Sequence, residues 1–166
     1  SSPEMEKGER AEMNHNFPNM FSPINIGTVT VPNRFVVPPM GNNFANTDGS
    51  MSERSAAYYE ARAKGGFGLI TIESTVVYKQ AKGGPRKPCL FSDEVVPSFK
   101  RVADACHAYG AKVSIQLQHA GPEGNSKLTG YPLKAASAIA KEVRQRNIRI
   151  SIIGIPKTCL LYTSPS

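Results

Sequence analysis

Residues 52–74 read SERSAAYYEARAKGGFGLITIES, and the whole fold class turns on how this stretch changes character halfway along. Ser52 has the short hydroxyl side chain of a helix N-cap, and ERSAAYYEARAK is a run of helix formers. Gly65 and Gly66 then supply the left-handed stop. The residues that follow, GLITIE, are β-branched and apolar, so the spacing predicts a strand that ends in the polar Glu73, Ser74 and Thr75. The same order returns at residues 92–117, SDEVVPSFKRVADACHAYGAKVSIQL. Ser92 or Asp93 caps a helix in which Phe99, Val102, Ala103, Cys106 and Tyr109 recur near a 3.6 period, Gly110 ends it, and residues 111–117 form a strand. Upstream, Arg34–Val37 is a short apolar run stopped by Pro38 and Pro39, which cannot donate to a sheet ladder. The resulting order is strand, helix, strand, helix, strand. Each crossover is long enough to return the chain parallel, so a parallel α/β fold is expected, with the C-terminal ends of all strands on one face.

Further out, residues 21–26 and 28–31 are short β-type runs separated by Gly27 and predict a small hairpin, expected to cap the end opposite that face. Residues 1–20 are polar and without period and read as a flexible arm. A loop rich in Lys, Gly and Pro runs from Lys79 to Pro88. The chain has 166 residues and three cysteines, Cys89, Cys106 and Cys159, too widely spaced for a disulfide framework or a CxxC metal site. The expectation is a reducing, cytoplasmic setting. No apolar run reaches the roughly 18 residues of a membrane span, and the polar start lacks the apolar core of a secretory signal. The net charge is +7, but residues 1–140 account for only +3 of it. No cluster of basic and aromatic residues in the body would track phosphates, so neither a nucleic acid nor a membrane is expected as a partner.

The unusual residues gather at the C-terminal ends of the strands. Pro38, Pro39, Met40 and Gly41 follow the first, Glu73 and Ser74 end the second, and Gln116 to Gly121 end the third. Gly41 permits close backbone approach beside stiff prolines, which suits a planar ligand, although an ordinary strand-ending turn has the same composition. Gln116 offers an amide donor and acceptor from an apolar strand and can read the pyrimidine edge of a flavin or base; its alternative is a buried amide bonded to backbone. His119 can act as acid, base or donor, or be structural, and neither His15 nor His107 gives it a metal spacing, so no metal site is expected. Glu73 either ion-pairs at the sheet end or orients a ligand. Packing explains Cys89 and Cys106 better than nucleophilic chemistry. The glycines at 65, 66 and 68 precede a strand, whereas a dinucleotide fingerprint follows one and opens a helix.

Residues 21–73 and 90–121, from FSPINIGTVTVPNRFVVPPMG through LITIE and from LFSDEVVPSFK through SIQLQHAG, resemble the N-terminal part of the Old Yellow Enzyme family. Within it they are similar to the branch of NADH:flavin oxidoreductases and 2-enoate or 2,4-dienoyl-CoA reductases. The resemblance runs from about Phe21 to Ile139. It implies the N-terminal portion of a (β/α)8 TIM barrel holding FMN at its C-terminal face, with NAD(P)H as hydride donor and an activated alkene as small-molecule substrate. Carried over by position, it implies that Pro39, Met40 and Gly41 form the turn against the flavin. Ser74 lies beside the ring and Gln116 bonds its pyrimidine portion. Some branches place at position 41 a Thr or Cys that tunes the ring, and Gly41 has no such side chain. The family's HAGR motif stands here as His119, Ala120, Gly121 and Pro122, with a charged donor replaced by a stiff imino acid.

The family's substrate-binding His/Asn or His/His pair, its proton-donating acid and its phosphate loops after strands seven and eight have no counterpart among these residues, so the catalytic residues are unknown. An iron-sulfur cluster and FAD are implied only for a longer parent. Residues 21–140 are expected to form a partial FMN-binding barrel domain. Residues 141–166 are expected to be an unmatched, artefactual tail, since residues 159–166, CLLYTSPS, resemble a translated sequencing-adapter end. Two functions follow. The parent protein is an oxidoreductase. The isolated chain is expected to be a non-catalytic barrel fragment with weak flavin or partner binding, and its open sheet edge favours self-association or aggregation.

Overall fold

The computed structural model describes residues 16–135. The expectations for residues 1–15 and for the tail at 141–166 lie outside them. A single helical turn, α1 (Pro18–Phe21), precedes the hairpin, inside the stretch read from sequence as an arm. Strands β1 (Ile24–Ile26) and β2 (Val29–Val31) pair antiparallel, with Gly27 at φ 60° in the turn. A three-stranded parallel sheet follows, in the order β3 (Val36–Val37), β4 (Leu69–Val76) and β5 (Lys112–Gln118). Its register pairs Val37 with Ile70 and Ile70 with Val113.

Helices α2 (Glu53–Lys64) and α3 (Val96–His107) are the two crossovers. The Ser52 hydroxyl accepts the Ser55 N–H at 3.1 Å, the N-cap expected from sequence. Gly66 takes φ 92° after the last turn. The start of α3 differs from the reading. Ser92 caps a 3-10 turn, Asp93–Val95, which hands over to the helix, and Asp93 caps nothing. The helix stops at His107, so Tyr109 leaves the apolar stripe, lies exposed, and reaches Glu60 with its hydroxyl at 3.4 Å. Gly110 at φ 81° completes the exit. A final short helix, α4, spans Ser126–Thr129.

Both crossover helices cover the same face of the sheet. Val37, Ile70 and Ile72 from the strands meet Ala56, Tyr59 and Ala63 of α2 and Phe99, Val102 and Cys106 of α3 in one core, with Val113 and Ile115 of β5 packed against it. The alternation of β5 therefore turns Ser114 and Gln116 to the other face, and Ser114 shares a hydroxyl hydrogen bond with Thr71 of β4 at 2.8 Å. At the N-terminal end of the sheet, the rings of Phe21, Phe35 and Phe67 pack in series, the first pair tilted and the second edge-to-face, with centroids 5.2 and 6.4 Å apart. They tie the segment that bears the hairpin to the end away from Pro38–Asn42. Three strands do not close a barrel, and no helix among the described residues is long and apolar enough to cross a membrane.

Candidate functional site

The C-terminal half of β4 departs from a regular ladder. Ile72 pairs with Ile115 and Thr75 with Leu117, so two residues, Glu73 and Ser74, stand opposite the single Gln116. This is a β-bulge, which orphans backbone groups and re-aims side chains. Side chains from elsewhere satisfy the orphans: the Glu73 N–H donates to the Tyr59 hydroxyl at 3.0 Å, and the Thr75 hydroxyl donates to the Glu73 carbonyl at 2.8 Å. Beyond the bulge β4 stays paired with β5, Val76 facing Gln118, and gains a second partner, with Val76 N–H donating to the Pro88 carbonyl and Leu90 N–H to the Val76 carbonyl, both at 2.8 Å. Cys89, between them, is fully buried against Gly49, where a Cβ would come 2.6 Å from the Cys89 Cβ. Packing is its role, and burial raises its thiol pKa.

The turn after β3 sits over this bulge. Met40 N–H donates to the Pro38 carbonyl at 2.8 Å, and the Met40 side chain is 60% exposed. Asn43 adopts φ 56°, a left-handed conformation that Asn tolerates, while the Asn42 carboxamide accepts the Phe44 N–H at 2.8 Å. Below the turn lies Glu73, 1% exposed. One oxygen, Oε2, accepts the Asn42 N–H at 3.3 Å and faces the Lys87 ammonium at 3.4 Å. A buried carboxylate needs such a partner, because leaving it unpaired costs several kcal/mol. Of the two roles left open for Glu73, the ion pair is the one observed. A Cβ on Gly41 would stand 3.0 Å from Lys87 Nζ and 3.7 Å from Glu73 Oε2.

Pro39, Met40 and Gly41, then Ser74, then Gln116 thus occupy the same end of the sheet on three successive strands. Ser74 and Gln116 are half-buried, and neither side chain hydrogen-bonds to any of the described residues. His119 is exposed, lies stacked on Tyr78 at 5.8 Å, and accepts the Gly121 N–H at Nδ1, so its neutral form carries the proton on Nε2. Lys134 bonds the Tyr78 hydroxyl at 3.1 Å. Sequence reasoning missed two residues that shape this end. Tyr59 stands in the sequence only as one of a run of helix formers, yet its hydroxyl serves the bulge, and burial pushes its pKa up to about 12. Lys87 sits in a loop of scattered Lys, Gly and Pro, and nothing in its spacing sets it apart.

A three-stranded parallel β/α sheet, with a glycine turn, a bulge and an open amide at the C-terminal ends of its strands, defines the class: the opening portion of a TIM barrel. The chain belongs to the NADH:flavin oxidoreductase / NADH oxidase family, which it matches over residues 19–153. That match runs past residue 140, the boundary drawn from the sequence. It is 45% identical over 114 residues to an NADH oxidase of Thermoanaerobacter brockii, covering 68% of this chain and 18% of the relative. An NADPH dehydrogenase of Listeria monocytogenes serotype 4a is 40% identical over 103 residues, 61% of this chain and 30% of the relative. Among solved structures, the Old Yellow Enzyme homologue from Zymomonas mobilis superposes with a TM-score of 0.69 at 33% identity, over 74% of this chain and 34% of that one. A 2-naphthoyl-CoA reductase in complex with 2-naphthoyl-CoA gives a TM-score of 0.66 at 32% identity, over 69% and 18%. The chain spans less than a third of the length of these two curated relatives.

Proposed function

We propose that this chain carries one side of the flavin site of an FMN-dependent oxidoreductase that uses NAD(P)H and reduces the activated C=C bond of an enoate, enone or enoyl-CoA. FMN, when bound, supplies the redox chemistry by accepting hydride and passing it to the β-carbon of a conjugated alkene. The residues present suit such a group. Pro39, Met40 and Gly41 offer a stiff turn whose last residue brings no side chain of its own, along which a flat ring can pack. Ser74 and Gln116 offer a hydroxyl and an amide to polar atoms at the ring's edge. Glu73 holds the turn from below through the Asn42 N–H.

The observation that carries this reading is the half-buried Gln116 amide, opposite the Glu73–Ser74 bulge, with no hydrogen-bond partner among the described residues. A half-buried amide gains most from a ligand that matches both its donor and its acceptor. Three strands hold such contacts only loosely, since a preorganised site needs its supporting shell. The isolated chain is therefore expected to bind FMN weakly and to turn over no enone with NAD(P)H. Fluorescence titration of FMN with the purified chain is the test. Saturable quenching that Gln116→Ala weakens by about 1–3 kcal/mol supports the reading. Absence of saturable quenching, or affinity indifferent to Gln116→Ala, contradicts it.

A further inference from the structure

The charged side chain whose donors are least spent at this end of the sheet is Lys87. An ammonium has three donors, and among the described residues Lys87 directs one, at 3.4 Å, to a single oxygen of Glu73, which that oxygen divides with the Asn42 N–H. Its neighbours in the same loop and beyond are committed elsewhere: Lys82 donates to the Thr47 carbonyl at 2.8 Å and Lys134 to the Tyr78 hydroxyl. Lys87 keeps 24% of its side chain exposed, while its partner keeps 1%. The pair is thus oriented, with the negative end sunk in the protein and the positive end near the surface. Its ammonium lies against the Gly41 turn, since a Cβ at position 41 would stand only 3.0 Å from Lys87 Nζ. The glycine and the lysine are complementary, because the missing side chain at position 41 lets the cation lie directly against the turn.

Resting on the flavin reading above, we propose that Lys87 makes the Gly41 turn selective for the more negative redox form of the flavin ring. An isoalloxazine ring that has taken up two electrons carries negative charge near neutral pH, whereas the oxidised ring is neutral. A cation beside the turn attracts the first and is indifferent to the second. Glu73 offsets part of the attraction, so the preference is modest, about fivefold in affinity. Lys87 acts here as a binding residue that sets redox preference, and needs no covalent step.

The test compares the affinity of the full chain for oxidised FMN and, under anaerobic conditions, for dithionite-reduced FMN, in the natural sequence, Lys87→Met and Lys87→Arg. The expected result is that Lys87→Met loses about fivefold for reduced FMN with oxidised FMN unchanged, and that Lys87→Arg retains the preference. Riboflavin, which lacks the phosphate, should show the same loss. Equal weakening of both redox forms would make Lys87 a mere prop for the turn and overturn the proposal. So would an effect seen with FMN and absent with riboflavin, which would assign Lys87 to the phosphate. Should Lys87→Met fold poorly because Glu73 is left buried and unpaired, the Lys87→Met/Glu73→Gln double variant removes both charges, and it must lose the same preference. Binding of neither redox form by the natural chain overturns the flavin reading and this proposal together. Binding without a Lys87-dependent preference overturns this proposal alone.

Discussion

Gly68 and Gly41 stand at opposite ends of the same sheet, each with a polar side chain where its Cβ would be, and the two ends are built on opposite logic. At the N-terminal end, a Cβ on Gly68 would meet Asn33 Oδ1 at 2.6 Å and the Asn33 carbonyl at 3.0 Å. That amide is spent: Oδ1 accepts the N–H groups of Phe35 and Gly68, each at 3.0 Å, and Nδ2 donates to the Gly66 carbonyl at 2.8 Å. It locks the entries to β3 and β4 together. At the C-terminal end the neighbour of Gly41 is the tip of a flexible lysine with donors to spare, and the nearby amide of Gln116 is open. One end of the sheet is closed by its own hydrogen bonds, and the other is left to be completed. This is the division expected of a β/α barrel, whose bottom face serves stability and whose top face serves chemistry.

The sharpest way to break that contrast is to add a methyl group at each end. Gly68→Ala is expected to cost about 3 kcal/mol, because Asn33 must abandon its backbone partners or the strand must shift. Gly41→Ala should cost less than about 0.5 kcal/mol, since the flexible lysine tip needs to give by only a few tenths of an ångström and can keep its pairing with Glu73. Urea unfolding of the two variants checks both, and equal losses would erase the distinction.

Next in size is the bulge. Tyr59→Phe removes the acceptor of the buried Glu73 N–H and is expected to cost about 1–3 kcal/mol near neutral pH. The same residue gives the account a pH signature. The Tyr59 hydroxyl is raised from 10.0 to about 12 in the fold, and the Cys106 thiol, buried in the core, from 9.0 to about 11. Unfolded chains ionise these groups first, so the unfolded state binds fewer protons and stability falls as pH rises from about 9 to about 12. Tyr59→Phe should flatten the upper part of that fall, between about 10 and 12, and leave the lower part to Cys106 and to Cys89, whose thiol is also raised by burial. Unfolding curves across this range measure it, and an unchanged slope would remove Tyr59 from the bulge.

The sequence carried the architecture further than the site. Ser52, Gly66 and Gly27 act locally, through a cap or a positive φ, and local signals can be read without knowing the fold. The parallel order follows from crossover length. Pro39, Met40, Gly41, Ser74 and Gln116 could be nominated because strand polarity alone sends them to one end. The bulge could not, since the polar Glu73, Ser74 and Thr75 read as the end of the strand, whereas β4 runs on to Val76 and the extra residue shows only in its pairing with β5. Nor could the Glu73–Lys87 pair, whose members are joined through a loop with no periodicity. The reading of Tyr109 failed for a related reason: the helical period continues on paper past His107, where the hydrogen-bonded helix stops.

The most direct test of the contrast between the two ends is an amide chemical-shift map of the chain titrated with FMN. The account predicts that shifts concentrate at Met40, Gly41, Asn42, Ser74 and Gln116, while Asn33, Gly66 and Gly68 stay still. Shifts centred on Asn33, Gly66 and Gly68, or spread evenly over both ends of the sheet, would contradict it.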